Sequence, residues 1–161
     1  LPHARKGYHD ALFTAPACDN ETFEERRLQE GTSCNYIVVK YGSNDEPPTL
    51  FIPDAKLHND ILPGINAASV AELASSYGYK VVYQEVKVKD LFDADEVLVT
   101  GTAMMVRGVN RIDTEEGHII FDKKGQQKMG KVGQQLANDM KRIMRREHQN
   151  PPFNDWMQRV G

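Results

Sequence analysis

Three short stretches of the chain place small or polar residues where a ligand could be held. In "ILPGIN", Pro63-Gly64 is turn chemistry and Asn66 is a good N-cap, so a turn feeds directly into a helix. The first N–H groups of a helix lack partners and its dipole is positive there, so Gly64-Ile65-Asn66 favours an anion such as phosphate. At Thr100-Gly101-Thr102-Ala103 a strand ends in a turn with two hydroxyls and with amides unshielded by large side chains, a second anion cradle. The third stretch is Glu30 in "RRLQEGTSCNY", a carboxylate just before a Gly-Thr-Ser run that enters a buried strand. Its functional reading is a carboxylate held against a cationic heteroaromatic nitrogen. Each stretch also has a plain reading, a satisfied turn or a solvated strand end; the coexistence of two cradles in one small domain is the informative point.

The elements that must position these residues follow from pattern. "YIVVKY" at 36–41 is β-branched and aromatic, a strand, and "TLFIP" is another, ended by Pro53. Val70, Leu73, Ala74 and Tyr77 share one helical face, and Gly78 stands where a terminating glycine belongs. "KVVYQEVKV" predicts a strand alternating through Val82, Gln84, Val86 and Val88, followed by a helical turn around Asp90–Asp93. The strand "EVLVT" runs into the small-residue turn, "MMVRGVNRI" continues as one strand, and His118–Phe121 forms another. Residues 14–27 read as a loop. Met129, Val132, Leu136, Met140, Ile143 and Met144 trace the apolar face of a helix over Lys128–Arg146. Mixed strands and helices predict one α/β-type (mixed α+β) domain over 1–161.

Composition bounds the alternatives. Of 161 residues, 40% are apolar and 27% charged, which suits a folded domain and excludes disordered and collagen-like classes. No apolar run reaches the roughly 20 residues of a membrane span, so membrane insertion is not expected. Residues 1–122 hold 11 Lys+Arg against 20 Asp+Glu, and residues 123–161 hold 9 against 3. That asymmetry reads as a basic helix docked on its own acidic domain. No aromatics are interleaved with the charges, so a nucleic-acid partner is not expected. Cys18 and Cys34 match no zinc or redox spacing, and the five histidines are scattered; a reduced protein without a metal site is expected. The chain opens on Leu1 with no signal-peptide pattern, which is read as processing, excision or incompleteness.

The chemistry-bearing stretches carry a family resemblance. "LQEGTSCNYIVV", "ILPGINAASVAELASSYGYKV" and "LFDADEVLVTGTAMMVRGVNRID" stand in the order and at about the spacing found in the branched-chain aminotransferases, class IV enzymes dependent on pyridoxal phosphate. Gly7-Tyr8 and the closing "GKVGQQLANDMKRIMRREHQNPPFNDWMQRV" extend the likeness over nearly the whole chain, apart from an insertion around 14–26. The resemblance implies a mixed sheet or pseudo-barrel with flanking helices, the C-terminal portion of the cofactor-binding domain. It implies that Glu30 bonds the pyridine nitrogen, that Ile65, Asn66 and Thr102 bind the cofactor phosphate, and that the amides of Thr102 and Ala103 receive the substrate carboxylate. Departures are Asn66-Ala67 where the family has Thr-Arg, Arg107-Gly108 where it favours proline, and no Cys-x-x-Cys pair after the "GTA" turn. The Schiff-base lysine lies some thirty residues before the glutamate motif in the family, ahead of Leu1 here, and Lys6 aligns elsewhere. No catalytic lysine is therefore expected in this chain. The implied function is transfer of the amino group of leucine, isoleucine or valine to 2-oxoglutarate, with the lysine supplied by a separate N-terminal part. The alternative is an aminotransferase-derived, non-catalytic binding subunit of a larger assembly. Either implies a homo- or hetero-oligomer, in a mitochondrial or cytoplasmic setting.

Overall fold

The computed structural model describes residues 7–114, 117–121, 129–148, 153 and 155–157. In chain order come β1 (Leu12–Thr14), a 3-10 turn (Phe23–Glu25), β2 (Leu28–Gly31), β3 (Asn35–Lys40), β4 (Thr49–Pro53) and α1 (Ile65–Ser76). Then follow β5 (Lys80–Gln84), α2 (Val88–Phe92), β6 (Glu96–Gly101), β7 (Met105–Val109), β8 (Arg111–Thr114), β9 (Gly117–Ile120) and α3 (Lys131–Met144).

Five strands make one sheet in the order β5-β4-β3-β6-β7, with β4 and β5 parallel and the other pairs antiparallel. β3 and β6 read as continuous apolar runs because the sheet is covered on both faces, so neither set of alternating side chains meets water. Ile37, Val39, Leu50, Ile52 and Leu98 pack under α1 and α3. Tyr36, Val38, Val97 and Val99 pack on the other face against Leu28, Val86, Leu91 and Ile119. β1 and β2 form a short antiparallel pair, and β8 with β9 a second. The mixed sheet with flanking helices is the class that the resemblance implied.

α1 forms because Ala67, Val70, Ala71, Leu73 and Ala74 give it a buried apolar stripe, of which the alanines and the leucine are good helix formers. It stops because Gly78 takes φ +78°, which lets Tyr79 N–H reach Ala74 O (3.1 Å) and Gly78 N–H reach Ser75 O (2.9 Å). α3 buries Val132, Leu136, Met140 and Ile143, each contributing roughly 1.5–3 kcal/mol.

Several sequence expectations are corrected. The N-cap of α1 is Gly64, not Asn66: Gly64 O accepts the first helical bond, from Ala68 N–H at 3.0 Å, which places Asn66 inside the first turn. β5 ends at Gln84 rather than running to Val88, because Val88 opens α2, and its N–H donates to Arg26 O at 2.9 Å. The strand expected over Met104–Ile112 is two, β7 and β8, divided at Asn110. The loop at 14–27 contains the 3-10 turn, and β2 is a strand in its own right. Met144 is 49% exposed and leaves the apolar face of α3. Lys6 and the expected helix start at Lys128 lie outside the described residues.

Candidate functional site

The three chemistry-bearing stretches converge on one end of the sheet. β3 begins there with Asn35, directly opposite Thr100 near the end of β6, and the turn before α1 lies against them. Glu30, in β2, accepts a hydrogen bond at Oε2 from the Leu62 N–H at 3.0 Å. Asn35 Nδ2 donates to the carbonyl of the same Leu62 at 2.9 Å. Both backbone polar groups of Leu62 are therefore tied to the strands, three residues before the helix begins. Glu30 Oε1 makes no hydrogen bond among the described residues and stays open to a donor.

A second clamp holds the approach to that turn. Arg27 grips Asp60 with both terminal nitrogens, Nη1 to Oδ1 at 3.0 Å and Nη2 to Oδ2 at 2.6 Å, and Gln29 Nε2 adds a bond of 2.6 Å. The Arg27 bonds, then that of Gln29, lower the Asp60 carboxyl to about 2. A depressed carboxylate stabilises the fold above its unfolded value, roughly 3.9, and loses that contribution as pH falls towards 2. Amide exchange at residues 60–62 should therefore accelerate between pH 4 and 2 more than exchange in β3. Asp60→Asn should remove that acid dependence, and an unaltered profile in this variant would show that another group governs it.

At the helix end, no side chain among the described residues caps α1 and no acidic residue occupies its first turn, so its leading N–H groups carry no competing anion. Ile65 is 83% exposed and Asn66 half-buried. Thr102 and Ala103 lie exposed in the turn after β6, whose Gly101 backs onto Ser33 and Cys34. No hydrogen bond among the described residues joins Thr102 to Ile65 or Asn66; the two cradles are linked through β3 and β6. Thr100 is fully buried, and its Oγ1 has no hydrogen-bond partner among the described residues. A groove of about 820 Å³ opens beside the turn, lined by Asn35, Tyr36, Leu62, Gly64, Ile65 and Ser69 among others. It takes in Ile65 but not Glu30, Asn66, Thr102 or Ala103.

Cys34 is a buried thiol. Burial, then the hydrogen bond from its Sγ to Asp10 Oδ2 at 2.9 Å, pushes the thiol up to about 12. For Asp10, burial raises the carboxyl, but the bonds from Cys34, Thr32 and Ala11 outweigh it and the net shift is downward. Cys18 is exposed, and both cysteines are free. Sequence reasoning missed Asn35 and the Asp60 clamp. The signals were a polar residue opening an apolar strand and a single aspartate, Asp60, three residues before the Pro-Gly turn, neither distinctive alone.

The family model for amino-transferase class IV matches residues 3–112. The chain belongs to that family. Branched-chain-amino-acid aminotransferase 2, chloroplastic, of Arabidopsis thaliana is 35% identical over 116 residues, covering 72% of this chain and 26% of that protein. Branched-chain-amino-acid aminotransferase 5, chloroplastic, of the same plant is 34% identical over 135 residues, covering 84% and 28%. The chain thus spans about a quarter of the length of the curated relatives it matches. Among solved structures, the branched-chain aminotransferase of the archaeon Thermoproteus uzoniensis with norvaline superposes with TM-score 0.70 at 23% identity, covering 93% of this chain and 42% of that one. The Escherichia coli branched-chain amino acid aminotransferase gives TM-score 0.66 at 24% identity, covering 91% and 42%. These structures share the fold.

Class IV aminotransferases use pyridoxal 5'-phosphate, and the residues at this site suit its two ends. A carboxylate with one free oxygen suits a protonated ring nitrogen. An uncapped helix start with no acidic residue in its first turn suits a phosphate. Thr100→Val tests whether the buried Thr100 hydroxyl is unpartnered. Without ligand it should stabilise the chain by about 1 kcal/mol in urea unfolding, because an unsatisfied buried hydroxyl is removed at constant shape. A loss of stability would show that the hydroxyl has a partner in solution.

Proposed function

We propose that this chain forms the C-terminal part of the cofactor site of a branched-chain amino acid aminotransferase, which transfers the amino group of leucine, isoleucine or valine to 2-oxoglutarate. The lysine that holds the cofactor comes from a polypeptide segment outside these 161 residues. The observation that carries the reading is the double anchorage of Leu62, which fixes the Glu30 carboxylate and the start of α1 to one turn. The curated relatives support it through their printed names, and one structural neighbour is complexed with N-(5'-phosphopyridoxyl)-L-glutamate.

When bound, pyridoxal 5'-phosphate supplies an electron sink for the carbanion formed beside the amino group. Glu30 holds a proton on the ring nitrogen by charge and hydrogen bond, which keeps that sink strong. Ile65 and Asn66 present helix N–H groups to the phosphate, Asn66 adds its side-chain amide, and Thr102 adds a hydroxyl. The amides of Thr102 and Ala103 orient the substrate carboxylate. Ala67, in place of arginine, offers no charge to this set.

No helix among the described residues is long and apolar enough to cross a membrane. The proposed setting is mitochondrial or cytoplasmic. The relatives' names include a mitochondrial form from Humulus lupulus alongside chloroplastic ones. The proposed partner is the N-terminal part of the same enzyme, in an oligomer. Mixing the chain with a polypeptide carrying that part should give leucine-dependent formation of glutamate from 2-oxoglutarate, with an absorbance band of protein-bound cofactor. A stable complex that holds no cofactor would replace this reading with the non-catalytic binding subunit.

A further inference from the structure

The cofactor reading leaves open what fixes the two ends of the cradle relative to each other. Between β4 and α1 runs an eleven-residue connection, 54–64, that must deliver the helix start to one place. We propose that Asn35 is the positioning residue of this cradle: its side-chain amide locks the Leu62–Gly64 turn to the sheet and so sets the helix start against Glu30. The proposal rests on the cofactor reading above and deepens it.

Asn35 meets the turn at two points. Its Nδ2 donates to Leu62 O at 2.9 Å, while the N–H of the same Leu62 is held by Glu30. Its Oδ1 lies against Gly64, the N-cap of α1, so closely that a Cβ built there would stand 1.9 Å from Oδ1 and 2.8 Å from Cγ. No side chain fits at position 64 while the Asn35 amide occupies its place. Glycine at the N-cap is thus a requirement of the neighbouring strand rather than of local backbone conformation, since Gly64 takes an ordinary φ of −69°.

The amide is also well founded. Asn35 opens β3, the central strand of the sheet, which is bonded to β4 on one side and β6 on the other. Its register partner on β6 is Thr100, whose buried hydroxyl is unpartnered among the described residues. Asn35 therefore ties the end of this connection to the central strand, next to the holds that Arg27 has on Asp60 and Glu30 on Leu62. If the amide is removed, the Leu62 carbonyl loses its donor, and the turn keeps only the bond from the Leu62 N–H to Glu30.

A merely structural pin and a positioning residue part company in ligand binding. Pyridoxamine 5'-phosphate needs no lysine to bind, and pyridoxamine lacks the phosphate, so the pair separates the two ends of the cradle. In the full 161-residue chain, Asn35→Ala should weaken pyridoxamine 5'-phosphate binding about tenfold, the effect of losing one good hydrogen bond. It should weaken pyridoxamine binding less, and it should accelerate amide exchange at residues 62–66 while leaving β3 and β6 protected. Gly64→Ala should weaken phosphate-ligand binding by more than about tenfold in the wild-type background and by much less in the Asn35→Ala background, where the collision is relieved. Asn35→Asp, which keeps the shape but removes the donor, should resemble Asn35→Ala in exchange.

Wild-type binding that Asn35→Ala leaves unchanged overturns the proposal and spares the cofactor reading. An equal penalty for Gly64→Ala in both backgrounds does the same. A wild-type chain that binds neither probe removes the cofactor reading, and the proposal falls with it.

Discussion

Glu96→Ala should lower the stability of the chain by about 3–5 kcal/mol, the largest loss expected from any one substitution in this domain. Glu96 is a carboxylate with only 4% of its surface exposed, yet no cation among the described residues pairs with it. It caps α3 instead: Oε1 accepts from Val132 N–H at 2.9 Å and Oε2 from Gly133 N–H at 2.8 Å. Two of the orphan donors of that helix start are thereby satisfied by a full negative charge at the positive end of the helix dipole. Tyr41 OH adds a third bond, to Oε1 at 2.5 Å, and Lys131 sits 4.4 Å from the Tyr41 ring centroid. Burial, then the Glu96 bond, raises the Tyr41 phenol above its ordinary value. Alanine would leave two buried N–H groups and a hydroxyl unpaired. Against a total stability of about 5–15 kcal/mol, that loss approaches unfolding.

Glu96→Gln keeps the volume and one acceptor but turns a donor towards the helix N–H groups, so about 1–2 kcal/mol should be lost. Tyr41→Phe should cost about 1 kcal/mol alone and less in the Glu96→Ala background, where its partner is already gone. Urea unfolding of these variants beside the wild type is the measurement. A cost below about 1 kcal/mol for Glu96→Ala would mean that water reaches the helix start and replaces the carboxylate.

What could be read from the sequence, and what could not, divides by range. β3, β4 and β6 were legible because β-branched runs bounded by turn residues are a local signal, and α1 because its stripe and its terminating Gly78 lie within one window. The expected length of β5 failed because Val86 and Val88 continue the alternation after the strand has ended. They are buried, but against Leu28 and beside α2, so the same apolar spacing serves a different partner. Asn66 has the right chemistry for an N-cap, but Pro63-Gly64 already turns the chain, so the helix starts two residues earlier than that cap would allow. Glu96 and Asn35 were illegible for a common reason. Each acts on an element far along the chain, 36 residues on for Val132 and 27 for Leu62, and no periodicity or motif records such a bond. The positions of Glu30, Ile65, Asn66, Thr102 and Ala103 rested on motif order. The structure adds a physical link between the first three, Leu62, and places the last two in an exposed turn at the same end of the sheet.

Under the proposed function, that link makes Glu30 the most informative residue to vary, because its two oxygens would have separable tasks. Oε2 is committed to the Leu62 N–H, while Oε1 is free for a ring nitrogen. In the reconstituted enzyme, Glu30→Gln should keep the first task, since an amide oxygen still accepts from Leu62, and lose the second, since it brings no charge. The turn and cofactor affinity should then change little, while turnover falls about 10²-fold, the equivalent of the roughly 2–3 kcal/mol carried by a charge-assisted bond. Glu30→Ala should lose both: turnover at least as low, and in addition faster amide exchange at residues 62–66 and weaker binding of pyridoxamine 5'-phosphate. The split between the two variants is the test, read as kcat on one side and exchange and affinity on the other. If Glu30→Gln binds and turns over like the wild type while Glu30→Ala fails at both, the carboxylate serves the turn alone, and another group must keep the ring nitrogen protonated. A loss of turnover confined to kcat in the glutamine variant assigns the charge to the chemistry, and the Leu62 bond to the geometry that brings it there.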